Sequence, residues 1–173
     1  MNTPIRLLRI AAWWDGQPAP DAHHIEVEWV ESDAHIELRV DAPHYGDPSP
    51  PPSPVGPTDG LWNFEVVEVF VAGPDERYTE IELSPSGHHL VLQLDGIRRP
   101  VATRIPIQFK AQVEGGRWRG VARIDRALLP PQPWRVNAAS IHGSGTERMY
   151  MSMVPLPGGE PDFHQPRQFQ RLQ

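Results

Sequence analysis

The chain of 173 residues contains no cysteine, which excludes disulfides, thiolate nucleophiles and cysteine-ligated metals. It has no apolar run near the roughly 20 residues that a membrane-spanning helix needs. Its N-terminus, MNTPIRLLRIAAWWDG, has two arginines but no apolar stretch long enough for a secretory signal, so the expected location is cytoplasmic. Positive charge is also scarce: 16 Lys and Arg stand against 22 Asp and Glu, a net charge of −6. A nucleic-acid partner needs a basic face. Arg98-Arg99 is too small a cluster to make one, and Arg117, Arg119 and Arg123 read as one solvated strand face. No nucleic acid and no membrane are expected as partners. Long helical periodicity is missing too, and Arg126 to Leu129 is one turn at most, stopped by Pro130 and Pro131.

What is present is period-two alternation, the mark of strands. The stretch Leu61 to Asp95 gives three strands joined by GPDE and SPSG turns. The first sets Val67, Val69 and Val71 against Phe64, Val66, Glu68 and Phe70. The second sets Thr79, Ile81 and Leu83 against Tyr78, Glu80 and Glu82, and the third sets Leu90, Leu92 and Leu94 against His89, Val91 and Gln93. An aliphatic inner face and an acidic, aromatic outer face follow, with Val67, Val69, Ile81, Leu83, Leu92, Phe109 and Trp118 expected in the core.

Earlier, Ile5 to Ala12, Ile25 to Val30 and Ala34 to Val40 read as strands, the last two as a hairpin. Later come Ile107 to Val113 and Trp118 to Ile124, joined by a Gly115-Gly116 turn, then Trp134 to Ile141 and Glu147 to Met153. In the last of these, Arg148, Tyr150 and Ser152 share one face, leaving Met149, Met151 and Met153 for the core. Seven prolines between Pro43 and Pro57 cannot donate to a ladder, so 43–60 is a long loop. The 39% hydrophobic content supports a real core, and the 42 residues before the loop are too few for a core of their own. The expectation is an all-β, antiparallel β-sandwich of about ten strands, jelly-roll or immunoglobulin-like, with little or no helix, spanning 1–173 as one domain.

Candidate sites divide unevenly. Glu80 and Glu82 lie about 7 Å apart on one strand face, near glycosidase spacing, yet such pairs on an outward face are ordinarily just solvated. Ser140 to Gly145 lacks the strand-turn-helix context of a nucleophile elbow. His23-His24 and His88-His89 are adjacent pairs that point to opposite faces, and no third ligand completes His35 with Glu37 or His24 with Glu26 and Glu28. Haem is not expected, since a buried strand accounts for the methionines. No hydrolase and no catalytic residue are expected, and the metal ligands, if any, are not identifiable from these residues. Trp29 and Trp118 align with aliphatic neighbours and read as core. Trp62 stands where a loop meets a strand, and is either a plug for the sandwich end or a flat platform for a sugar ring.

Trp62, the run VVEVF ending at Phe70, RYTEIELSP ending at Pro85, and PDFH with Phe169 beyond occur in a fixed order. That ordered set resembles the carbohydrate-binding module family 9-like domains, β-sandwiches related to the DOMON group, over roughly Trp62 to Leu172. The resemblance implies a non-catalytic binder of a mono- or oligosaccharide. In that family a ligand tryptophan precedes a ligand glutamate by the spacing from Trp62 to Glu68. A strand arginine matches Arg148 and an amide matches Asn137, while the second tryptophan has no counterpart. Phe163 is nearest in order, with Tyr150 in reserve. No cofactor is expected except calcium, a family trait, for which Asp47, Asp59, Asp75 and Asp95 are candidates by residue type. The competing expectation is a free-standing intracellular interaction domain that has kept the fold and lost the glycan site.

Overall fold

The computed structural model describes residues 5–172; Met1–Pro4 and Gln173, the ends of the expected unit, lie outside the described residues. Twelve strands form it. The first six are β1 (Ile5–Ile10), β2 (Ile25–Glu31), β3 (His35–Pro43), β4 (Val66–Ala72), β5 (Arg77–Leu83) and β6 (His89–Asp95). The rest are β7 (Pro100–Ala102), β8 (Gln108–Glu114), β9 (Arg117–Asp125), β10 (Arg135–His142), β11 (Met149–Ser152) and β12 (Gln170–Arg171). The helical content among the described residues is five three-residue 3-10 turns. None of the helices is long and apolar enough to cross a membrane.

Two antiparallel sheets result. One has the order β1-β2-β3-β9-β8, the other β11-β10-β4-β5-β6-β7, with β12 also on β10. The β2–β3 register pairs Val27 with Val40 and Trp29 with Leu38, as the alternation predicts. In the β8–β9 hairpin, Ala111 faces Gly120. A Cβ at Gly120 would lie 2.8 Å from the Trp118 ring and 2.9 Å from that of Phe109, so only glycine lets both rings approach the strand. The strand count exceeds expectation because β7 and β12 are too short to leave a periodic signal. β1 also stops at Ile10, two residues early.

The sheets share a core of Val27, Trp29, Leu38, Trp118 and Ile124 from one side and Val67, Val69, Ile81, Leu83 and Val91 from the other. Trp29 packs edge-on against Trp134 with centroids 5.7 Å apart. Two polar side chains on this face reach the same backbone carbonyl: Thr79 donates to that of Leu128 at 2.6 Å, as does the Gln93 amide at 3.0 Å.

The expected outer face is where the sequence reading fails. Phe70, Tyr78, Leu90, Leu94 and Ile141 on the far side of the larger sheet form a second core with Leu61, Val154, Leu156, Phe163 and Phe169. The irregular tail thus folds back over the sheet and seals it. Glu80 and Glu82, expected to be solvated, are 5% and 0% exposed. Register also moves Leu92 off the inner face: it pairs with Glu80 and is half-buried beside it. Phe109, expected in the core, is half-buried against it because it stands on β8, the edge strand of its sheet. Of the three methionines on and beside β11 only Met151 is fully buried, and Ser152, expected outward, is buried as well. Both follow from the chain on either side of this four-residue strand, which covers its two faces at once.

The proline-rich segment is a long loop tied down at intervals. Buried Glu65 accepts the amides of Tyr45 (2.9 Å) and Gly46 (2.8 Å), Gly143 donates to the Asp47 carbonyl (2.8 Å), and the Ser53 carbonyl meets His88 Nε2 (2.9 Å). Burial raises the Glu65 carboxyl above its usual range, while the two amides pull it back.

Candidate functional site

On the outer face of the larger sheet the second core is interrupted by a cleft of about 350 Å³, within the range of small-ligand pockets. Its floor comes from the strands. Glu68 on β4 stands directly across from Glu82 on β5, and Glu80 lies two residues along β5 on the same face. Glu68 and Glu80 border the cleft, while Glu82 lies beneath its lining. Carboxylate oxygens of all three lie within 4.8 Å of one another. Like charges placed this way repel, and burial removes the water that would relieve them. Burial, then mutual repulsion, holds Glu68 and Glu82 well above the usual carboxylate range. Burial also pushes Glu80 up, to about 7, with the Arg98 charge opposing it. Neither Glu82 oxygen has a hydrogen-bond partner of good geometry, although the Glu80 carboxyl and the Trp62 backbone are near enough to influence its protonation.

The walls come from the 3-10 turn at Leu61–Asn63 and from the tail. Trp62 is 45% exposed, a large indole left at the cleft's edge while Leu61 beside it is buried. Arg148 holds it there. Its guanidinium donates to the Trp62 carbonyl, to that of Asn63 (3.2 Å) and to that of Gly143 (3.1 Å), and stacks over the Tyr150 ring at 5.8 Å. With its donors so committed, Arg148 is a positioning residue for Trp62. Phe163 also lines the cleft but is only 7% exposed, packed on Phe70 and Tyr150 with centroids 6.4 and 6.3 Å away.

At the far rim, PDFH builds a polar network. Asp162 accepts from the Arg98 guanidinium (2.8 Å) and from the His164 amide (2.9 Å). The Tyr78 hydroxyl accepts the Arg98 backbone N–H (3.0 Å) and shares a hydrogen bond with His164 Nδ1 at 2.8 Å. Burial and then Arg98 lower the His164 pKa to about 4, and its Nε2 lies 3.8 Å from a Glu80 carboxyl oxygen.

Trp62, Glu68 and Phe163 therefore meet in one cleft, with Arg148 just behind it. Asn137 does not join them. It is fully buried away from the lining, donates to Ser152 Oγ (3.0 Å) and accepts the Val154 amide (3.3 Å), so its amide pins the tail to β10. Sequence reasoning missed Glu80, Glu82, Arg98 and His164 as site residues. For the glutamates a signal existed: pairing the two strands through their turn places Glu68 opposite Glu82. Arg98 and His164 have none, because a loop and the tail bring them in.

Gly143 sets the path of the segment that carries Arg148. Its φ is +80, and a Cβ there would meet the Glu147 carbonyl oxygen at 2.1 Å. Gly143→Ala is expected to lower stability by about 1–3 kcal/mol, since the loop must shift. An unchanged urea midpoint would show that the turn has another path open to it.

The fold is a two-sheet antiparallel β-sandwich similar to that of carbohydrate-binding module family 9 proteins. It superimposes on a candidate carbohydrate-binding protein from Bacteroides uniformis (TM-score 0.71, 16% identity, 97% of this chain and 84% of that one). It also matches a family 9 module from Caldicellulosiruptor kristjanssonii in complex with cellotriose (TM-score 0.61, 13% identity, 96% and 80%). A third match is to such a module in complex with glucose (TM-score 0.55, 12% identity, 88% and 74%). No family model matches the chain. By sequence the chain belongs to the UPF0462 family. It is 35% identical over 165 residues to the UPF0462 protein C4orf33 homolog of Danio rerio, covering 91% of this chain and 83% of that protein. The Mus musculus homolog is 37% identical over 167 residues (90% and 85%), and the Homo sapiens protein 34% over 167 (90% and 82%).

Proposed function

We propose that the protein binds a sugar, without catalysis, in the cleft between Trp62 and Phe163. The observation that carries this reading is the half-exposed indole fixed beside buried carboxyls. An apolar protein has no reason to hold a tryptophan open to water, whereas a pyranose presents C–H groups to an aromatic face and hydroxyls to oxygen acceptors and donors. Glu68 and Glu80 supply such groups on the floor, and Arg98 and His164 supply donors at the rim. A ring seated there meets Trp62 on one side, Tyr150 and the accessible part of Phe163 on the other.

Hydrolysis fits poorly. Glycosidase carboxyls flank the scissile bond from separate positions, whereas these three stand side by side on neighbouring strands. One indole and a few exchanged hydrogen bonds leave roughly 4–7 kcal/mol, a Kd on the order of 10 μM to 1 mM. Trp62→Ala is expected to abolish binding of mono- and disaccharides in titration calorimetry while leaving the melting temperature unchanged, and the sugars should be recovered uncleaved. Wild-type protein that ignores every sugar at millimolar concentration would favour a domain that has kept the fold and lost the glycan site.

A further inference from the structure

We propose that Glu68, Glu80 and Glu82 form a binding site for a hard divalent cation, calcium or manganese, set into the floor of the cleft. Two independent features carry this. The first is convergence: three carboxylates from adjacent strands bring oxygens within 4.8 Å of one another, as oxygens bound to one ion at about 2.3–2.6 Å must be. The second is Glu82 itself. Its side chain is wholly buried, one of its oxygens stands in this cluster, and neither oxygen has a hydrogen-bond partner of good geometry. Buried polar groups are almost always paired, and an uncompensated buried carboxylate is among the costlier features a fold can hold.

The ligand chemistry narrows the ion. The set is all oxygen and anionic, without imidazole or thiolate, which suits calcium, manganese or magnesium over zinc or copper. Magnesium binds reluctantly where its waters must be stripped, and Glu82 lies beneath the cleft lining, so calcium and manganese fit better. The same depth argues against an organic ammonium as the occupant. A ligand bulky enough to fill the cleft would reach Glu68 and Glu80 but not Glu82, whereas a bare ion sits among all three. Two positive side chains act on the group, Arg148 on Glu68 and Arg98 on Glu80, and an arriving ion takes the place of the protons that burial favours there. The site is separate from the loop aspartates Asp47, Asp59, Asp75 and Asp95: Asp75 is paired with Arg77 and Asp59 lies 3.8 Å from Arg104.

The test needs no sugar. The full chain is stripped with chelator, then titrated with calcium, manganese or magnesium chloride while melting temperature and heat are recorded. One ion per chain and a melting temperature raised by several degrees in calcium or manganese are expected. Glu82→Gln keeps the shape, removes a charge and gives the cluster an N–H donor. It should melt at or above wild type in chelator yet bind the ion at least ten-fold more weakly. Glu80→Gln is the second variant should the first not fold, and Asp47→Asn is the control that should retain the full response. The proposal is overturned if 10 mM calcium and manganese leave the melting temperature of wild type unmoved, or if the Glu82 and Glu80 variants respond as strongly as wild type. A response lost in Asp47→Asn alone would place the ion in the loops and overturn it equally.

Discussion

Ile81→Ala is expected to lower stability by roughly 2–5 kcal/mol, while Leu92→Ala, on the next strand, should lower it by only about 1 kcal/mol. The contrast follows from which face each side chain occupies. Ile81 is 1% exposed in the core between the sheets, where neighbours from both sides close on it and a cavity cannot collapse. Leu92 stands on the opposite face, beside Glu80, at the open wall of the cleft. Water can fill the space its removal leaves, so the cavity contribution vanishes and only part of the transfer energy is lost. Urea denaturation of both variants measures the difference. Equal losses would mean that the cleft wall is as tightly packed as the core, and the site geometry above would be wrong.

Stability should also fall as pH drops from about 6.5 to about 4, by up to about 3 kcal/mol for His142 alone. This imidazole is buried at the end of β10 and lies flat against Tyr45, centroids 3.6 Å apart and planes 1° from parallel. Burial, helped by His23 and Arg148 and opposed by Asp47, lowers its pKa from 6.5 to about 4. Above pH 6.5 the ring is neutral in both folded and unfolded chains, and its full contribution is present. Between 6.5 and 4 the unfolded chain takes up a proton that the folded one refuses, so stability is lost progressively. Below 4 both forms are protonated and the loss levels off. His142→Phe keeps the stack and removes the titration, so its stability should decline less steeply through that window. Parallel curves for the two proteins would show that the ring is protonated in the folded state at neutral pH or is free to leave its pocket.

The sequence by itself determined the sandwich. Strand alternation depends only on neighbours two apart in the chain, so Val27 facing Val40, Trp29 and Trp118 in the core, and the glycine turn between β8 and β9 were all legible. Trp62 and Glu68 were paired through the family resemblance rather than by alternation, which left Trp62 open between a plug and a platform. Alternation says which residues share a face but not what lies above that face. Glu80 and Glu82 were placed correctly opposite Ile81, yet whether they met water or protein was decided by the tail from Val154 to Phe169, which carries no periodic signal and packs only because the sheet already offers Phe70, Tyr78 and Leu94. The same long-range closure brings His164 and Arg98 to the cleft and takes Asn137 out of it to hold Ser152 and Val154. Local sequence set the two faces of each strand. Only the tertiary fold decided that the second face would also be buried, and burial is what turns three glutamates of an alternating strand pattern into a cluster of carboxyls with raised pKa.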